Sequence, residues 1–203
     1  MTTDWFRNTA WDASVERAFD QKLRRARRKE QYLRIQASTL ARSHPDVALR
    51  LLDRYFELPD DFDHAPAHVD RATALLALRR IDEAIASFEA ALAREAVFPN
   101  VQTHARLELP FLIATLGITD RYARALEILA ASEKTLVFPV ERFRWHAARS
   151  LIAAGSSDAA GAKVHAQHAL AAAAEEHSGF QYHPSVGLVT EEYDALIRRL
   201  QAY

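Results

Sequence analysis

A-I-A-S-F-E-A-A-L-A-R-E-A-V-F-P, residues 84 to 99, is the stretch whose reading decides the fold. Ala84, Ile85, Phe88, Ala91 and Leu92 fall at i, i+1, i+4, i+7 and i+8, which is one face of a 3.6-residue helix. Alanine on that face lets a neighbouring helix come close, and Phe88 fills the space between the two. A helix of this kind cannot bury its apolar face alone; it needs a partner on either side.

Working outward, the same offsets recur at Ala48, Leu49, Leu52, Tyr55 and Phe56, at Ala125, Leu126 and Leu129, and at Ala162, Ala166, Ala169 and Leu170. The four leading alanines stand 36, 41 and 37 residues apart. That is the spacing of a two-helix unit with variable loops, each unit stacked on the next.

At this spacing the chain resembles the tetratricopeptide repeat (TPR) family. Ala84, Phe88 and Ala91 match the small–aromatic–small element of the family's second helix, followed by Leu92 and, after a long turn, Pro99. The fourth unit adds Ala147, Ala148, Leu151 and Gly155. The first helix departs from the family: His68, Arg71, Ala72 and Leu75 stand where Trp, Leu, Gly and Tyr are favoured. The resemblance covers residues 29–177. It implies an all-α fold, a right-handed stack of about four antiparallel helical hairpins, a TPR-like solenoid with N- and C-terminal capping helices. The expected organisation is one domain: a lead-in and capping helix over 1–28, the hairpins over 29–177, and a loop with a capping helix over 178–203.

Composition agrees with helices. Five glycines and seven prolines in 203 residues are too few for a turn-rich β fold. A net charge of −1 sets up no global field toward nucleic acid or an anionic membrane. The absence of cysteine excludes disulfides and thiolate chemistry. The start Met-Thr-Thr-Asp-Trp is no basic-then-apolar leader, and no apolar run approaches about 18 residues. The chain therefore reads as a soluble, cytoplasmic protein with no membrane contact.

Helices are predicted over 10–28, 29–42, 45–57, 66–78, 82–96, 101–116, 119–135, 139–154, 158–176 and 190–202. Thr9 with Asp12 three residues on reads as the first N-terminal cap, and Trp11, Val15, Phe19 and Leu23 as the buried face that follows. No Gly or Pro interrupts residues 10 to 43, which leaves open one helix or two over 10–42; a stack of hairpins favours a break near residues 28–30. Pro110 falls inside a predicted helix, where it removes one backbone hydrogen bond and kinks the axis. Residues 177–189 are irregular but carry Phe180, Tyr182, Val186 and Leu188, so the loop is expected to pack back on the helices. In the last helix Tyr193, Leu196, Ile197 and Leu200 form one face, as a cap over the final repeat requires.

In a TPR-like stack the first helix of each hairpin lines a concave surface, and the resemblance implies that ligands lie there. This places Arg34, Asp70, Thr73, His104, Glu108, Phe111, Arg142, Trp145, His146 and Arg149 in the groove. Arg142, Trp145 and Arg149 fall at i, i+3 and i+7, an aromatic plate between two guanidinium groups. Arg and Trp are enriched at interaction hot spots. Against this stands the core reading, in which Trp145 packs inward and the arginines are solvated. The family's Lys/Asn set that clamps a peptide carboxylate is absent.

The run K-L-R-R-A-R-R-K, residues 22 to 29, holds six basic residues in eight. The near-neutral total and the lack of a recognition motif argue against nucleic acid and for a solvated face, complementary in charge to the acidic stretch 57–63 of this chain or of another. His64 with His68 and His165 with His168 have spacings that share a helix face, but no third and fourth ligand accompanies them, so no metal is expected. No nucleophile–base pair, Gly-rich phosphate loop or paired acid is present, which points to no enzyme activity and no cofactor. The sequence thus reads as a non-catalytic module that binds a protein or peptide. A cognate immunity protein that sequesters a toxin or enzyme is the alternative, and a nucleic-acid-associated regulator the third.

Overall fold

The computed structural model describes residues 4–59 and 62–203, which form ten α-helices and, among the described residues, no strand. The helices are α1 (Ala13–Arg25), α2 (Lys29–Leu40), α3 (Pro45–Phe56), α4 (His64–Ala77), α5 (Ile81–Val97), α6 (Ala105–Leu116), α7 (Tyr122–Ser132), α8 (Pro139–Gly155), α9 (Ala159–Ala173) and α10 (Asp194–Leu200). The chain divides into two compact units, residues 1–105 and 106–203.

In the first unit α2 packs on α3 and α4 on α5, and α4 also touches α2 and α3. The ridges foreseen from sequence are the core. Ala48, Leu52, Tyr55, Ala84, Ile85, Phe88 and Ala91 are all buried, because small residues let the helices approach and the large ones fill what is left. The lead-in is tied down by an amide pair: the fully buried Gln36 accepts from the backbone N–H and Nδ2 of Asn8 at 2.9 Å each and donates from Nε2 to its carbonyl at 2.8 Å. Trp5 and Phe6 then close over Tyr32 at 4.8 Å.

A break at residues 26–28 separates α1 from α2, so the stretch 10–42 holds two helices. The start of α1 is corrected. Asp12, not Thr9, is the cap, its Oδ1 accepting from the N–H groups of Ser14 at 2.7 Å and Val15 at 2.9 Å. Those hydrogen bonds, with one from the Ser14 hydroxyl leading, hold the Asp12 carboxyl below its usual pKa. Trp11 therefore lies ahead of the helix, half-buried against Phe19 at 5.5 Å.

In the second unit α8 and α9 form the closest-packed hairpin, and α10 lies on α9. Phe143, Ala147, Ala166, Ala169, Ala172 and Leu200 share one core, with Tyr193, Leu196 and Ile197 against it. The face foreseen for the last helix is thus the one it buries. Its start moves from 190 to Asp194 because Glu191–Tyr193 is a 3₁₀ turn. Helix α6 begins at Ala105 rather than 101, since the Thr103 hydroxyl caps the Ala105 N–H at 3.1 Å. Pro110 sits inside it, buried, as read from the sequence.

Three hairpin turns repeat one backbone motif. Arg79, Gly117 and Ser157 have φ of 60°, 67° and 63°. The next N–H then reaches back five residues: Arg80 to Leu75 at 2.9 Å, Ile118 to Ile113 at 3.0 Å and Asp158 to Ala153 at 2.9 Å. This left-handed closure satisfies carbonyls that a helix end leaves unpaired. Glycine supplies it at one turn only; Arg79 and Ser157 adopt it at a steric cost.

The loop before α10 packs back through part of its length. The Gly187 carbonyl accepts from the Val140 N–H at 2.8 Å, and the Phe138 ring is so close that a Cβ on Gly187 would lie 2.4 Å from it. Phe180 stacks on Phe138 at 5.3 Å. Tyr182, however, is 83% exposed, so the expectation of a wholly packed loop is corrected there.

Candidate functional site

The candidate groove residues separate into two clusters, one in each unit. In the first, Arg34 on α2 reaches two carboxylates: Nε to Asp63 at 3.2 Å and Nη1 to Asp70 of α4 at 3.4 Å. Burial raises the Asp70 pKa, opposed by a hydrogen bond from Ser38 and by the Arg34 charge. Thr73 spends its hydroxyl on its own helix, donating to the Val69 carbonyl at 3.0 Å. Beside Arg34 opens a polar cleft of about 430 Å³, walled by Arg28, Gln31, Ile35, Phe62 and Asp63 among others.

In the second unit Glu108 on α6 takes a bidentate pair from Arg144 on α8, both contacts at 2.7 Å. The Arg144 guanidinium lies 4.6 Å from the Phe111 ring centre, and the side chain is 17% exposed. Burial works against its charge, but the hydrogen bonds and field of Glu108 outweigh it and raise its pKa. Arg144 is the residue that sequence reasoning missed. The carrier of the signal is its distance from Glu108, 36 residues, the same as from Arg34 to Asp70. The first pair joins α2 to α4 and the second joins α6 to α8.

The Arg–Trp–Arg plate is not assembled. Trp145 is 3% exposed, and its Nε1 donates at 2.8 Å to the Leu129 carbonyl in the last turn of α7, which the Ser132 hydroxyl also reaches at 3.0 Å. The core reading of Trp145 is the one that the geometry gives. Arg149 covers its ring at 4.8 Å, while Arg142 turns away to Glu175 at 2.7 Å and the Val137 carbonyl at 2.8 Å. The arginines are therefore not simply solvated either; each has a partner. His104 is exposed, at the foot of α6.

His146 joins a second group that the sequence split. Its Nδ1 lies 3.1 Å from Nδ1 of His165, and His168 stacks on its ring at 4.9 Å. Arg149 donates from Nε to Nε2 of His165 at 3.1 Å. That nitrogen must then be unprotonated, so His165 carries its proton on Nδ1 and gives it to His146. Burial first, then His165, His168 and Arg149, pushes the His146 pKa down to about 4; burial and Arg149 lower that of His165. In the first unit burial and His64 push His68 down to about 4, where it stacks on Phe56 at 4.7 Å. Both members of that pair lie on α4, which starts at His64 rather than 66. Among the described residues no group of three or more His, Asp or Glu could hold a metal ion.

No described helix is long and apolar enough to cross a membrane. No protein-family model matches this chain, no curated protein matches its sequence, and no solved structure matches its fold.

Proposed function

We propose that this chain is a non-catalytic protein- or peptide-binding module built of TPR-like hairpins, α2–α3 and α4–α5 in one unit and α6–α7 and α8–α9 in the other. The observation that carries the reading is the pair of ion bridges, Arg34–Asp70 and Glu108–Arg144, each one repeat length long. They support a register in which first helices lie beside each other, the arrangement that leaves an inner wall for a ligand. The repeated turn at Arg79, Gly117 and Ser157 supports the same register.

Most groove candidates brace the fold, so the contact surface is narrower than the list. It centres on the polar cleft beside Arg34, where Gln31 and Phe62 are exposed. A preformed cleft on rigid helices binds without ordering cost, and a few anchors supply the affinity.

The test is affinity capture from a lysate with the wild-type chain and with Gln31→Ala/Phe62→Ala. The expected result is a protein held by the wild type and lost by the variant, with circular dichroism unchanged. One partner that survives high salt would favour an immunity-type inhibitor; several would favour an adaptor. Equal capture by wild type and variant would remove the cleft from the account.

A further inference from the structure

Among the described residues no carboxylate pairs with the six cations of the 22–29 run, and of the acidic stretch 57–63 residues 60 and 61 lie outside the described residues. Lys22, Arg24, Arg25, Arg27, Arg28 and Lys29 are all exposed, and none makes an ion pair or a side-chain hydrogen bond among the described residues. Many arginines elsewhere are paired: Arg34, Arg50, Arg54, Arg71, Arg80, Arg142 and Arg144 all hold carboxylates of this chain. The simplest structural account is helix-end electrostatics, and it covers half of the run. Lys22, Arg24 and Arg25 stand in the last turn of α1, where cations favour the dipole. Arg28 and Lys29 stand at the cap and first position of α2, where the same dipole disfavours them, and no side chain caps that end. Six like charges at one corner also repel one another, a standing cost that a bound anion would relieve.

We propose that the corner where α1 turns into α2 is a docking surface for an acidic protein segment, one carrying several Asp or Glu side chains. The proposal rests on the binding reading above and adds the partner's chemistry. Two clefts flank the corner. Arg24 and Lys29 edge one of about 300 Å³, where Asp20 holds Arg54 at 2.9 Å, and Arg28 edges the cleft beside Arg34.

The corner selects among polyanions. The chain nets −1 with six positive charges concentrated here, so its remainder is acidic and repels a long anion that extends past the corner. A short acidic segment avoids that repulsion; a duplex or a bilayer does not. No aromatic residue lies in the run to stack a base. Leu23 is buried and Ala26 half-buried, so no apolar side chain of the run is free to enter a membrane.

The experiment uses the full chain and a fluorescent peptide of about a dozen residues with alternating Glu and Gly, followed by anisotropy at moderate salt. The expected result is saturable binding, absent for the Gln–Gly peptide and weakened at least tenfold by Arg25→Glu/Arg28→Glu. Arg198→Glu/Arg199→Glu, an exposed pair on α10, should leave it unchanged. Both variants alter exposed side chains only, and thermal melts check that each is folded. Tighter binding of a short duplex, a single-stranded RNA or phosphatidylserine vesicles than of the acidic peptide would overturn the proposal. So would equal peptide binding by the corner variant. If the lysate capture above succeeds and is insensitive to the corner variant, this proposal falls while the binding reading stands. If capture fails altogether, the reading beneath it falls.

Discussion

Arg34 and Arg144 each anchor a bridge 36 residues long, one in each unit, with the arginine on the earlier helix in the first and on the later helix in the second, and the two do different work. Arg144 makes a bidentate pair with Glu108 at 2.7 Å under the Phe111 ring. Arg34 divides itself between Asp63 at 3.2 Å and Asp70 at 3.4 Å at the edge of an open cleft. A short, parallel, half-buried pair fixes geometry; two long single contacts leave the guanidinium able to move. The comparison shows how one repeat-spaced bridge becomes a brace and the other a candidate contact surface.

The largest effect expected is at the brace. Glu108→Gln leaves the Arg144 charge without its carboxylate and should lower stability by about 2–3 kcal/mol, read from urea unfolding. Glu108→Leu with Arg144→Met removes both charges and should recover most of that loss; failure to recover would mean that the pair holds more than itself. Asp70→Asn, by contrast, should cost less than about 1 kcal/mol. Burial already raises the Asp70 pKa, and Arg34 keeps Asp63. Equal losses at Glu108 and Asp70 would erase the distinction between the bridges.

Acid sharpens it further. The fold holds His68 and His146 neutral, so below the ordinary value of 6.5 the unfolded chain binds more protons than the folded one. Stability should fall as pH drops from about 6.5 toward 4. Around His146 the decisive groups are His165, His168 and Arg149, with Asp158 and Glu133 opposing protonation loss at His165. His146→Phe should flatten the profile where Trp145 fluorescence reports, and His68→Phe where Trp5 and Trp11 report. A profile unchanged by either would show that the rings titrate freely.

The smallest effect is at the turns. Arg79→Gly and Ser157→Gly remove the left-handed strain and should each stabilise by about 0.5–1 kcal/mol in thermal melts. A loss at either would mean that the side chain matters more than the backbone.

Legibility followed the physics of each feature. The ridges led by Ala48, Ala84, Ala125 and Ala162 were readable because burial imposes a period on sequence, and all four alanines are buried. The apolar face of α10 was readable for the same reason, whereas the break between α1 and α2 was not, since no Gly or Pro interrupts residues 10 to 43. The cap at Asp12 was displaced because Thr9 and Asp12 can both accept backbone N–H groups, and only the chain's path chooses. Trp145 was ambiguous because an indole suits a groove or a core; inside, its Nε1 finds an acceptor in the Leu129 carbonyl. Arg144 carried a signal in its 36-residue offset from Glu108, but arginines at that spacing are common enough to hide it.

By itself the sequence determined that the chain is helical, which faces are buried, and where the charge is concentrated, since these follow from periodicity and residue type. Only the tertiary structure decided which charges cancel. Glu108 with Arg144, Arg142 with Glu175 and Arg34 with its two aspartates are neighbours across helices, while the 22–29 run finds no carboxylate among the described residues. Pairing depends on distance through space, and the linear order of residues does not encode it.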